Sequence, residues 1–178
     1  MLKRWFSGKD KGTKAEAGSQ SEASTGKRVS KLGYDLTPMK PEEIKKEAEA
    51  LNDLQKNVTL KAGTERAFTG KTVNGYAHDN KKRGVYVSAI GGLPLFHSDT
   101  KYDSGTGWPS FYAPIDPEHV VEKKDSSIPF MPRVEVLDAR SGAHLGHVFD
   151  DGPRPTGKRY CMNAAALRFI PEEEWQQE

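Results

Sequence analysis

The chain has one cysteine in 178 residues, Cys161. That scarcity excludes an internal disulfide and any zinc site built from several thiolates. Long apolar runs are missing as well. No stretch approaches the roughly 20 residues needed to cross a bilayer, so no membrane association is expected. Met1-Leu2-Lys3-Arg4-Trp5-Phe6 opens like a basic leader, but Ser7-Gly8-Lys9-Asp10 follows where an apolar segment would have to stand. One free thiol without a secretory leader fits a reducing, cytoplasmic setting. Charge of one sign is also scarce, at a formal +2 overall. Residues 1–30 hold seven basic and three acidic side chains, a net +4, so residues 31–178 carry −2. The main body therefore has no electrostatic footprint for nucleic acid. The basic segment reads as a solvated tail, not a binding arm.

No internal repeat is visible, and the length suits one domain with an appendage. Residues 7–30 are rich in Gly, Ser, Lys and Ala and cannot bury enough apolar surface to offset ordering. A disordered basic tail is expected over 1–35, then a helical lead-in over 36–62. Within it a helix is predicted at 41–56. Pro41 suits the first turn, Glu42 and Glu43 suit its positive end, and Ile44, Ala48, Leu51 and Leu54 recur at helical spacing. From Gly63 to Pro171 short apolar runs are separated by Gly, Pro, Asn and Asp. The runs are Gly84–Ser88, Leu93–Phe96, Pro132–Leu137, His147–Phe149 and Tyr160–Ile170. The fold class expected is mainly β (α+β): a small antiparallel β-sheet domain with a short peripheral N-terminal helix. Residues 172–178 form an acidic tail whose Trp175 is able to fold back.

Cys161 is either buried filler or a nucleophile. Free cysteine is among the most buried residue types, which favours filler. In an extended segment, however, Arg159, Cys161 and Asn163 share one face, with Tyr160 and Met162 on the other. A cation beside a thiol lowers its pKa, and the thiolate is the reactive form. Two further segments stand out. In His144-Leu145-Gly146-His147-Val148-Phe149, histidines three apart fall on opposite faces of a regular strand unless a bulge at Gly146 intervenes. The pair reads as metal ligands, as structural rings bonded to backbone, or as acid–base groups beside a thiol. In Lys101 to Phe111, glycines and a proline fix an irregular loop that presents Trp108. An aromatic is unusually placed there for core duty, and loops often carry function.

Taken together, these segments resemble the methionine-R-sulfoxide reductases, the B-type enzymes of methionine sulfoxide repair. The resemblance covers about Gly63 to Pro171. It rests on Gly63-Thr64-Glu65-Arg66-Ala67-Phe68-Thr69-Gly70, Ser104-Gly105-Thr106-Gly107-Trp108-Pro109-Ser110-Phe111, His144 to Phe149, Asp151-Gly152-Pro153 and Pro155-Thr156-Gly157 with Arg159-Tyr160-Cys161. It implies a mostly antiparallel β fold and an oxidoreductase, a peptide-methionine (R)-S-oxide reductase. Cys161 matches the catalytic cysteine. His144, His147, Asn163 and Arg159 match positions around it, with Trp108 and Phe149 on the substrate side. Many members hold a structural zinc on two Cys-x-x-Cys pairs. Here those positions are Ser88, Gly91, Asp138 and Ser141, so neither metal nor other cofactor is expected. Many members also carry a resolving cysteine where this chain has Thr106.

The mechanism implied is attack of Cys161 on the sulfoxide sulfur, with His144 or His147 supplying or relaying protons. Arg159 would hold the thiolate, Trp108 would wall the substrate methyl, and Asn163 would bond the oxygen or orient a histidine. Methionine leaves, and Cys161 remains as a sulfenic acid that an external thiol must reduce. The expected partners are oxidised proteins and thioredoxin, with glutathione, glutaredoxin or a small dithiol as alternatives; the chain is expected to be a monomer. Two rival classes are a module that binds oxidised methionine without turnover and a cysteine–histidine hydrolase. The hydrolase would need an oxyanion hole.

Overall fold

The computed structural model describes residues 26–175. Expectations for residues 1–25 and 176–178 lie outside the described residues. The expected tail extends too far along the chain, because residues 26–35 pack on the domain. The Leu36 N–H donates to the Arg28 carbonyl, and Val29 bridges Asp35. Ser30 is buried, and its hydroxyl lies 2.9 Å from Nε2 of the fully buried His119. A buried polar ring needs such a partner, and that requirement anchors the segment.

The predicted single helix is two. Helix α1 spans Pro41–Ala48 and α2 spans Asp53–Lys61. Asn52 causes the break. Its Oδ1 accepts the Gln55 N–H at 2.9 Å, and Gln55 Oε1 accepts the Asn52 N–H at 2.9 Å. This reciprocal cap starts a new helix where the apolar spacing alone continued the old one. Leu54, predicted to face inward, is exposed as a result.

The body is antiparallel β, as expected. One sheet has the order β2-β1-β9, from Pro94–His97, Gly84–Ser88 and Leu167–Pro171. The other has the order β3-β4-β8-β7-β6-β5. Its strands are Lys101–Tyr102, Ser110–Phe111, Arg159–Met162, His144–Phe149, Arg133–Asp138 and Val120–Asp125. Tyr86, Phe96, Phe111, Tyr160 and Phe169 fill the space between the sheets. The Phe96 and Phe111 rings stack at 4.5 Å, and Tyr86 lies 5.1 Å from Phe111 and 4.8 Å from Phe169. Burying such rings supplies much of the stability of a small domain. A last helix, α3 (Glu172–Trp175), brings Trp175 onto Tyr34 at 6.5 Å. No helix among the described residues is long and apolar enough to cross a membrane.

A second, smaller core lies under α1. Ala48, Leu51, Ile90 and Ala143 are buried there, with Met39 and Ile44 against them. It covers the two turns that follow Ser88 and Asp138 and contain Gly91 and Ser141. The turns are tied by hydrogen bonds. Arg140 Nη1 donates to the Gly91 carbonyl at 3.1 Å. The Asp138 carboxylate accepts the Arg140 N–H at 2.8 Å and the Ser141 hydroxyl at 2.5 Å. This donor set does not fit a zinc ion. It offers no thiolate, its one carboxylate is already engaged, and a guanidinium reaches between the turns.

Candidate active site

Strand β8 alternates as its sequence predicts. Tyr160 and Met162 turn into the core, while Arg159 and Cys161 face the other way and are partly exposed. Pairing then assembles a row across the sheet. Tyr102 pairs Ser110, Ser110 pairs Cys161, Cys161 pairs His147, and His147 pairs Glu135. Directly opposed side chains on one face have Cβ atoms roughly 4.5–5.5 Å apart. The row therefore places an imidazole on one side of the thiol and a hydroxyl on the other.

His144 joins this face through a bulge. Gly146 pairs Val136 and His144 pairs Leu137, leaving Leu145 as an extra residue. One extra residue moves His144 to the side of His147. The two rings lie 5.5 Å apart at 66°. Gly146 is required at this point, because a Cβ there would sit 2.1 Å from the Cys161 carbonyl oxygen.

A carboxylate holds each ring. His144 Nδ1 lies 2.7 Å from Glu135 Oε1, and His147 Nε2 lies 2.9 Å from Asp125 Oδ2. Arg133 reaches the same Asp125 oxygen at 2.8 Å. A ring nitrogen facing a carboxylate carries the proton. In neutral His144, Nε2 is therefore an acceptor, and it is buried without a partner. Burial lowers the His144 pKa, against the Glu135 carboxylate, so the ring stays neutral further into the acid range.

The thiol departs from expectation. Burial raises the Cys161 pKa, although the Arg159 charge and the nearby Thr106 hydroxyl oppose the rise. Arg159 is occupied elsewhere. Its Nε and Nη2 donate to Asp151 at 2.8 and 3.0 Å, and its guanidinium lies 4.3 Å from the Phe149 ring centroid. Asp151 itself pushes the thiol upward. The direction is therefore the opposite of the one a neighbouring cation suggests, because burial first, and Asp151 with it, outweigh one shared cation.

Asn163 also departs from expectation. The strand ends at Met162, and Asn163 turns inward and is buried. Its Oδ1 accepts the Glu65 N–H at 3.0 Å, and its Nδ2 donates to the Leu145 carbonyl at 3.0 Å. The backbone N–H of Asn163 reaches that same carbonyl at 2.8 Å. Asn163 therefore pins the bulge residue beside His144, with no bond to either histidine ring.

Trp108 is fixed through the same hub. Its indole N–H donates to the Glu65 carbonyl at 3.1 Å. The buried Glu65 carboxylate accepts the N–H groups of Ala164 and Ala165 at 2.7 and 2.8 Å. Trp108 lines a cleft of about 530 Å³ with Phe68, Gly107 and Tyr102. A second cleft, about 450 Å³, is lined by Tyr102, Ser104, Thr106, Asp151 and Arg159. Tyr102 borders both, and its buried hydroxyl has no partner. Thr106, Ser104 and Ser110 form a hydroxyl chain of 2.8 and 2.7 Å links along the thiol's flank.

Sequence reasoning missed Glu135, Asp125, Tyr102 and the role of Glu65. A signal existed for Glu135. It alternates with Arg133 on one face of a strand whose Val134 and Val136 face the other way, and a half-buried charge inside a sheet needs a partner.

This geometry is a thiol beside two carboxylate-held imidazoles on an antiparallel sheet. Residues 51–171 match the SelR domain, and the chain belongs to that family, the methionine-R-sulfoxide reductases. A peptide methionine sulfoxide reductase MsrB of Hahella chejuensis is 56% identical over 119 residues, 67% of this chain and 81% of that protein. The MsrB of Methanosarcina barkeri is 53% identical over 123 residues, covering 69% of this chain and 82% of the relative. The MsrB of Escherichia coli O139:H28 is 51% identical over 132 residues, 74% of this chain and 90% of that protein.

Proposed function

We propose that this chain is an oxidoreductase that reduces methionine-R-sulfoxide in proteins to methionine, with Cys161 as the nucleophile. The observation that carries this reading is the row His147–Cys161–Ser110, with His144 brought alongside by the bulge. Cys161 attacks the sulfoxide sulfur. Cys161 is oxidised by two electrons and the sulfoxide sulfur is reduced by two. Attack forms a transient sulfur–sulfur bond. The substrate S–O bond and that sulfur–sulfur bond then break as the oxygen passes to Cys161, which is left as a sulfenic acid while methionine departs. The thiol proton is the one the oxygen needs. The unpartnered Nε2 of neutral His144 accepts it and passes it on, while Glu135 keeps the ring in that tautomer. His147 pairs Cys161 directly and is oriented by Asp125. Arg159 supplies a fixed positive field, and Trp108 with Phe149 supplies apolar surface for the substrate.

Recycling needs two external thiols. The first condenses with the sulfenic acid to give a mixed disulfide and water. The second releases Cys161 and leaves an oxidised disulfide. Thioredoxin or a small dithiol is suited to this in a reducing cytoplasm, and the enzyme acts as a monomer without metal. Steady-state turnover of resolved R and S sulfoxides tests the reading. Only the R epimer should be reduced, and Cys161→Ser should retain under about a thousandth of the rate, as expected when the only nucleophile is lost. Comparable rates for both epimers, or substantial turnover by the serine variant, would refute it.

A further inference from the structure

The segment Ser126–Pro132 joins β5 to β6 and carries an apolar tip that the site chemistry does not use. Ile128, Phe130 and Met131 are exposed there, and Phe130 is fully so. Phe130 also has φ +61°, a left-handed conformation that a bulky aromatic rarely adopts. Such a conformation persists only where the surroundings hold it. Pro129 and Pro132 bias Ile128 and Met131 toward extended backbone. The Ser127 N–H donates to Asp125 Oδ1 at 2.9 Å, and the Met131 N–H donates to the Ile128 carbonyl at 3.3 Å. The turn is thus built to hold an aromatic ring out in water, the opposite of what burial of apolar surface favours.

One side chain joins this tip to the site. Asp125 takes Ser127 on Oδ1 and, on Oδ2, both His147 and Arg133. The same carboxylate holds the start of the tip segment and the imidazole beside Cys161.

We propose that Ile128, Phe130 and Met131 form a docking surface for apolar side chains flanking the oxidised methionine in the substrate polypeptide. This rests on the reading of Cys161 as the sulfoxide-reducing nucleophile. The occupant is the substrate chain because the tip continues directly from His147 through Asp125. Three side chains also present far less than the roughly 800 Å² per partner of a stable protein pair. An extended polypeptide advances about 3.3 Å per residue, so residues a few positions from a methionine seated at Cys161 reach a surface just beyond His147. Covering part of an exposed phenylalanine with an aliphatic side chain favours binding by about fivefold at the usual value of apolar burial.

The test compares wild type with Phe130→Ser/Met131→Ser, using dithiothreitol as reductant. Substrates are N-acetyl-methionine-R-sulfoxide amide and two short peptides, with the sulfoxide flanked by leucines or by serines. Wild type should favour the leucine peptide by about fivefold in kcat/KM, mainly through KM. The variant should lose that preference and keep its rate on the small amide. No preference in wild type, or an equal loss on the amide, overturns the proposal. A binding arm titrates the labelled leucine peptide onto Cys161→Ser with and without the tip substitutions; affinity should fall with the tip removed, and unchanged affinity overturns the proposal. If wild type fails to reduce the small amide, the catalytic reading falls, and this arm decides the docking surface by itself. Should the variant keep its peptide preference but lose turnover when a thioredoxin-type protein replaces dithiothreitol, the tip serves the reductant and the proposal is overturned.

Discussion

At the scale of single residues, Cys161 is surrounded by opposing influences. Arg159 and the Thr106 hydroxyl favour its thiolate, while burial and Asp151 favour its thiol and prevail. Alkylation by iodoacetamide in the absence of substrate should therefore rise with pH through an inflection above the usual thiol range. The sign follows from a raised pKa, because the reactive thiolate is populated only on the alkaline side. Asp151→Asn removes one upward influence and the competing partner of Arg159, so its inflection should move to lower pH. An unchanged or higher inflection would show that Arg159 does not govern the thiol. Thr106→Cys carries a second prediction. Thr106 is linked through Ser104 to Ser110, which pairs Cys161, so a sulfur there should form a disulfide with Cys161 after one turnover if the Cα separation falls within roughly 4.4–6.8 Å. Mass spectrometry should find a loss of two hydrogens in place of a trappable sulfenic acid. The sequence pointed to Cys161, His144 and His147 because their types and spacing are local. Glu135 and Asp125 lie 9 and 22 residues from the rings they hold. Only strand pairing brings them there, and no short motif encodes it.

At the scale of elements, the bulge in β7 is the decisive device. It sets two histidines on one face, and it needs Gly146 to let β8 approach. Gly146→Ala places a methyl group against the Cys161 carbonyl, a backbone atom that cannot swing aside. The expected cost is about 1–3 kcal/mol in stability, as for other overpacked sites. Activity should fall further than stability, because Cys161 moves with its carbonyl. Thermal unfolding and turnover on the same preparation check this; wild-type values for both would show that the strands have slack. The apolar runs matched β1, β2 and β6 to within a residue, caught only the second half of β7, and merged β8 with β9 into one run, because Asn163 and the turn Ala164–Ala166 carry no polar break strong enough to show the division. Strand β5 was not legible, since Val120-Val121-Glu122-Lys123-Lys124-Asp125 lacks alternation. It is an edge strand whose middle four residues are exposed, and edges are commonly charged to prevent pairing with other chains. The break between α1 and α2 was illegible for another reason. Apolar spacing ran through it, and only the Asn52–Gln55 cap decided otherwise.

At the scale of the whole molecule, the lead-in and the two turns beneath it form one cross-link. Arg140 joins the two turns by donating to the Gly91 carbonyl, Asp138 and Ser141 brace the turn that carries it, and Ala48 of α1 covers them together with Leu51 just beyond the helix. Protein purified without chelator should contain no stoichiometric zinc, and a strong chelator should leave its unfolding temperature unchanged. One tightly held zinc per chain by elemental analysis would refute this.

That cross-link bears on survival under the conditions the enzyme serves. Where thiolates grip a metal, an oxidant that consumes the sulfurs ejects the ion and dismantles the scaffold together with the chemistry. Here the hydrogen bonds of the corresponding junction come from amide, carboxylate, hydroxyl and guanidinium groups, none of which peroxide attacks readily, and the sulfur packed beside them is the Met39 thioether, which ties nothing together. An overoxidised Cys161 would silence one molecule while leaving its architecture standing. Damage would then register as lost turnover in an intact protein, and a reagent able to restore the sulfur would restore the enzyme without any need to refold it.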